Sequence, residues 1–109
     1  MQSPIDESTI NMLKEVMEDD FATLIETYVG DAPQRLDELR SNIEAPEKLE
    51  KPAHTLKGSS ANIGAHALAE LCSVLVDQIR ANQVVNPEKQ LVAIEQEFAR
   101  VKESLLSLL

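Results

Sequence analysis

From Phe21 onward the chain sets an apolar residue at every third or fourth position: Phe21, Leu24, Ile25, Tyr28, Val29, Ala32, Leu36, Leu39 and Ile43. At about 100° per residue, that spacing draws one stripe along one side of an α-helix. A stripe this long must be buried against other helices. Pro33 falls inside it. A proline there removes the hydrogen bond to the Val29 carbonyl and should kink the helix, at a cost of about 3 kcal/mol. The stripe keeps its phase across Pro33, so one bent helix is expected, with Gly30 easing the bend.

The rest of the chain follows the same period. Asp6 suits an N-cap for a short helix carrying Ile10, Leu13, Val16 and Met17, and Asp19 or Asp20 suits the next cap. A third helix is expected from Pro46 or Glu47 to Gly64, with Leu49, Ala53, Leu56 and Ile63 inward; Pro52 offers an alternative start. Gly64 suits the residue just past its end. A fourth helix from about His66 carries Leu68, Leu71, Cys72, Leu75 and Ile79. Residues 81–85 connect it to a last helix opened by Asn86-Pro87-Glu88 and lined by Leu91, Ile94, Phe98, Val101, Leu105 and Leu108. The expected architecture is all-α: an antiparallel up-down four-helix bundle with a short additional N-terminal helix, in a single domain over residues 1–109.

Composition narrows the function classes. Asp plus Glu number 19 against 10 Lys plus Arg, for a formal charge of −9, which argues against nucleic acid and against a polybasic membrane anchor. Apolar residues make up 43% of the chain, enough for a packed core. No apolar run reaches the roughly 18 residues of a membrane span. The start of the chain lacks the basic and apolar regions of a signal peptide, and the single Cys72 can form no internal disulfide. A cytoplasmic protein is expected, with Met1 and the well-formed ends suggesting a whole chain.

Most enzyme chemistry finds no residues here. Gly30, Gly58 and Gly64 cannot compose a P-loop or a dinucleotide fingerprint. His54 and His66 fall in no metal-ligand pattern, and no nucleophile elbow or acid/base pair stands out. A metal-binding bundle would need inward Glu and Glu-x-x-His ligands, which are missing. What remains is the segment from Ala53 to Gly64, AHTLKGSSANIG. With His54 at zero on a helical wheel, Lys57 falls near −60°, Gly58 near +40° and Ala61 near −20°, while Leu49, Leu56 and Ile63 fall between about 180° and 220°. His54 therefore points away from the core, beside one cation and two residues with little or no side chain. A helix-interior glycine costs about 1 kcal/mol relative to alanine and calls for a reason. Gly58 either lets another molecule approach the imidazole or lets a neighbouring helix pack closely.

The run Ala53-His54-Thr55-Leu56-Lys57-Gly58-Ser59-Ser60, followed by Ile63-Gly64-Ala65 and by Leu68, Leu71 and Cys72, resembles the histidine phosphotransfer (HPt) domain. Ile5-Asp6 and the Phe21 to Leu39 stripe are similar to the first two helices of that family. The resemblance implies a bundle whose exposed histidine relays phosphate between receiver aspartates in two-component signalling. Its expected partners are the receiver domains of a hybrid sensor kinase and of a response regulator. It implies that His54 is phosphorylated, that Lys57 holds the phosphoryl oxygens, and that Gly58 clears space for the phosphoryl group and the receiver. Ala61 extends that face, and Ile10, Leu13 and Phe21 would either flank it as a docking rim or belong to the core. The chain would have no cofactor or metal of its own, with Mg²⁺ supplied by the receiver, no ATP-dependent autokinase activity, and a monomeric state. Many members carry Gln or Glu on the next helix near the histidine; the equivalent position here is Val76, which leaves the imidazole to another group or to water. A non-catalytic receiver-docking module is the rival reading, against which the retained His54, Lys57 and Gly58 speak.

The charge is unevenly spread. Residues 1–47 hold 12 acids and 3 bases, and residues 67–109 hold 6 and 4. Between them, residues 48–66 hold Lys48, Lys51 and Lys57 against Glu50 alone, a basic island around His54 that suits a doubly charged phosphoryl group.

Overall fold

The computed structural model describes residues 3–109, and among them every regular element is helical. The α-helices are α1 (Glu7–Met17), α2 (Phe21–Ser41), α3 (Glu50–Asn62), α4 (His66–Arg80) and α5 (Pro87–Leu106), with 3-10 turns at Glu18–Asp20 and Pro46–Lys48. None is long and apolar enough to cross a membrane. Packing runs from α2 to α3, α3 to α4, α4 to α5 and α5 back to α2, so four helices close a ring around a common core. Ile25, Leu39, Leu49, Leu56, Leu75 and Ile94 are among its fully buried side chains. The α2 stripe thus faces inward as its period requires.

The helix ends follow local chemistry. Asp6 caps α1: its carboxylate accepts from the Ser8 amide at 3.3 Å and the Thr9 hydroxyl at 2.7 Å. The Asn86 side chain accepts from the Lys89 amide at 3.1 Å, and Pro87 opens α5. At the end of α3, the Gly64 amide donates to Ala61 and the Ala65 amide to Ser60, with Gly64 at φ +85°. These are the paired bonds of a Schellman motif, and they require a left-handed residue. Asn82, at φ +56°, closes α4 in the same way.

The structure departs from the sequence reading at several boundaries. Asp20 sits at the head of α2 but makes no side-chain cap, because a 3-10 turn carries the chain from α1 to α2 in near-helical conformation. The α2 helix runs unbroken through Pro33 and stops at Ser41, so Ile43 reaches the core from a turn. The third helix begins at Glu50, after the Pro46–Lys48 turn, and ends at Asn62. Pro52 thereby falls in the first turn of α3, where backbone amides have no intrahelical partner to lose.

One buried polar contact ties the ring together beside the site. The Tyr28 hydroxyl on α2 and the Ser60 hydroxyl on α3 lie 2.7 Å apart in the core. The Tyr28 ring also packs against Phe98 of α5, with centroids 6.1 Å apart and planes inclined at 56°. Burial pushes the Tyr28 phenol up to about 12, the Ser60 bond opposing it. Burial alone pushes the Cys72 thiol up to about 12, so the lone cysteine is an un-ionised core residue.

Candidate functional site

Helix α3 presents two unlike faces. Leu56, Ala53 and Ser60 are buried, whereas His54, Gly58 and Ala61 are exposed and Lys57 is half-buried. The four residues singled out by the wheel therefore share one outward face, with the imidazole open to solvent. A β-carbon added at Gly58 would meet no atom within 4 Å. That excludes close helix packing as the reason for this glycine, and leaves room for an incoming molecule. Glycine at Gly64 has a different cause: besides its positive φ, a β-carbon there would lie 3.1 Å from Thr9 Cβ, where the Asp6 amide also donates to the Gly64 carbonyl at 2.8 Å.

On the other side of His54 lies an open depression of about 520 Å³ lined by Glu47, Glu50, Lys51, His54, Thr55 and Arg80. Arg80 comes from the last turn of α4, with its Nε 3.5 Å from Glu50 Oε1. Neither residue stands out in the sequence as part of the site. Glu50 could have been found, since it lies four residues before His54 and so on the same helical face. Arg80 carries no such signal, because its nearness depends on how α4 lies against α3. Val76 is fully buried in the core.

The expected rim divides. Ile10 and Phe21 are only 3% and 7% exposed, so both belong to the core and do not form a docking surface. The packing of α1 on the bundle takes Ile10, and Phe21 turns inward at the head of α2, with the Lys14 ammonium 5.8 Å from its ring centroid. Leu13 behaves otherwise. With Met17, Leu24, Tyr28, Ser59 and Ile63 it lines a largely apolar groove of about 300 Å³ between α1, α2 and the end of α3. Met12 and Val16, on the outer face of α1, are 55% and 72% exposed. The α1 contribution to the surface therefore comes from Leu13 and Met17 with Met12 and Val16 beside them. The period alone could not separate these from Ile10, since α1 is too short to be covered on all sides.

Among the described residues no group of three or more His, Cys, Asp or Glu side chains is placed to hold a metal ion. What the arrangement offers is a solvent-facing nucleophile, a flanking ammonium and a bare surface next to them. Neutral imidazole is a competent nucleophile near neutral pH.

Comparison with known proteins agrees with this geometry. The model of the Hpt domain matches residues 23–104. The crystal structure of histidine-containing phosphotransfer protein B (HptB) from Pseudomonas aeruginosa PAO1 superposes with a TM-score of 0.92 at 30% identity, covering 98% of this chain and 95% of that one. No curated protein sequence matches. The matched stretch includes the whole of α3 and α4, and the chain belongs to the Hpt domain family, the histidine phosphotransfer proteins of phosphorelays.

Proposed function

We propose that this chain is one domain that takes a phosphoryl group onto His54 from a receiver aspartate of a hybrid sensor kinase and passes it to a receiver of a response regulator. The observation that carries the reading is the exposed imidazole on a face cleared by Gly58 and Ala61 and flanked by Lys57. In the loading step an imidazole nitrogen forms a bond to phosphorus as the aspartyl oxygen–phosphorus bond breaks. The electron pair of that bond returns to the carboxylate, and the imidazole keeps its proton on the other ring nitrogen. Unloading is the reverse on a second receiver. Such transfers depend on in-line placement and charge neutralisation. Lys57 meets the nearly doubly negative phosphoryl group, and Mg²⁺ arrives with the acidic pocket of the receiver.

The four longer helices α2 to α5 alternate up and down, and α1 lies across one end, where the Asp6 to Gly64 bond fastens it beside the end of α3. The receiver covers Gly58, Ala61, Leu13 and Met17, with exposed Met12 and Val16 at its edge. The protein acts as a monomeric phosphocarrier in the cytoplasm, without autokinase activity.

Incubation with a phosphorylated receiver and Mg²⁺ should leave an acid-labile, alkali-stable phosphate on the chain, absent from His54→Gln. Lys57→Ala should slow transfer about tenfold or more with the fold intact, the scale of one lost charge-assisted contact. Equal labelling of His54→Gln would overturn the assignment. Undiminished receiver binding by a chain that never takes label would instead identify a docking module.

A further inference from the structure

Arg80 approaches the site through a weak contact. Its Nε stands 3.5 Å from one Glu50 oxygen, and the two side chains are 54% and 42% exposed. Among the described residues its terminal nitrogens meet no partner, and no second ion pair holds it. An ion pair this open and this long is readily exchanged. Glu50 lies one helical turn before His54, and residues so spaced have β-carbons about 5–6 Å apart. The guanidinium is thus held by Glu50 on the preceding turn of α3, and Arg80 and His54 border the same depression. Of the other charges there, Glu47 and Lys51 offset one another.

We propose that Glu50 and Arg80 form a charge-exchange latch that sets the lifetime of the phosphorylated state. The proposal rests on His54 being the phosphoryl carrier. In the unphosphorylated chain Glu50 holds Arg80 aside. A phosphoryl group on His54 presents nearly two negative charges and three acceptor oxygens, against the single charge of one carboxylate. The planar guanidinium fork suits that group better and moves to it. Arg80 is then a second cation beside Lys57, brought from α4 in place of the polar residue that Val76 cannot supply. Glu50, freed, competes for the return of Arg80 and so limits the gain. Spontaneous loss breaks the nitrogen–phosphorus bond, joins a water oxygen to phosphorus and returns a proton to the imidazole nitrogen. The latch adjusts how long that takes.

The test compares phosphohistidine half-lives after removal of the donor receiver. Arg80→Gln should shorten the half-life about tenfold, on the scale of a lost charge-assisted hydrogen bond, with Arg80→Lys falling between the two. Glu50→Gln should lengthen it about two- to fivefold, the scale of an exposed ion pair. The deciding arm is the double variant: without Arg80, the gain from Glu50→Gln should disappear. An equal gain in both backgrounds would show that Glu50 acts by direct repulsion alone and would overturn the latch, as would an unchanged half-life in Arg80→Gln. Failure of the wild type to take label at all would instead strike the carrier reading. Urea midpoints of the variants separate these effects from loss of fold.

Discussion

At the scale of single residues, the transfer role proposed for Gly58 would pull against stability. Open space surrounds the position, and alanine exceeds glycine as a helix former by about 1 kcal/mol. Gly58→Ala should therefore raise the melting temperature by several degrees while slowing transfer from a phosphorylated receiver. A scan showing a lower melting temperature would mean that the glycine serves packing after all. Ser60 behaves conversely. Ser60→Ala strands the Tyr28 hydroxyl in the core and should cost about 1–3 kcal/mol in urea unfolding, part of it recovered by adding Tyr28→Phe. Alkali gives a further reading of this core. Tyr28 and Cys72 both lose their protons less readily folded than unfolded, from ordinary values of 10.0 and 9.0 to about 12. Their contribution is complete below about pH 9 and is lost as the pH rises toward about 12, because the unfolded chain ionises first. Unfolding followed from pH 8 to 12 should show that decline, flattened in Cys72→Ala. The shared face of His54, Lys57, Gly58 and Ala61 was legible from 100° per residue alone. The Tyr28 to Ser60 bond and the approach of Arg80 were not, since each joins residues on separate helices, and the period says nothing of which helices meet.

At the scale of elements, the turn from α3 to α4 fixes both the end of the functional helix and the seat of α1. Gly64→Ala would force a side chain into φ +85° and against Thr9. It should cost about 1–2 kcal/mol and speed amide exchange in α1, while α4 and α5 stay protected. Uniform loss of protection would indicate that α1 is integral to the ring. Caps and breakers were the readable part of this level: Asp6, Gly64 and Asn86-Pro87 each act where local chemistry places them. Asp20 was misleading because Glu18 takes φ +48° and the chain turns through a 3-10 segment, making a second side-chain cap unnecessary. Pro46 and Pro52, the alternative starts of the third helix, were ambiguous for a related reason. Whether proline breaks a helix or opens one depends on the first hydrogen-bonded turn, and tertiary packing of Leu49 and Ala53 decides where that turn lies in α3.

For the molecule as a whole, the order of the helices could be written from the phase of the apolar residues, but the closure of α5 onto α2 could not. That contact is visible as Arg40 on α2 reaching Glu88 at 2.7 Å and Glu95 at 2.6 Å on α5, and as Tyr28 meeting Phe98. The arrangement leaves one helix, α3, to carry the outward histidine, and one side of that helix to be approached. If His54 carries the phosphoryl group as proposed, a donor and an acceptor would have to cover the same Gly58 and Ala61. On that reading they could not be seated together, and the relay would have a single berth. Loading and unloading would then alternate, and an excess of unphosphorylated acceptor receiver should compete with the donor and slow the first labelling of the chain. Initial labelling rates measured against rising acceptor concentration would show that inhibition, and a rate independent of acceptor would point to a second landing place. The cell would then tune flux through this protein by the ratio of its two partners.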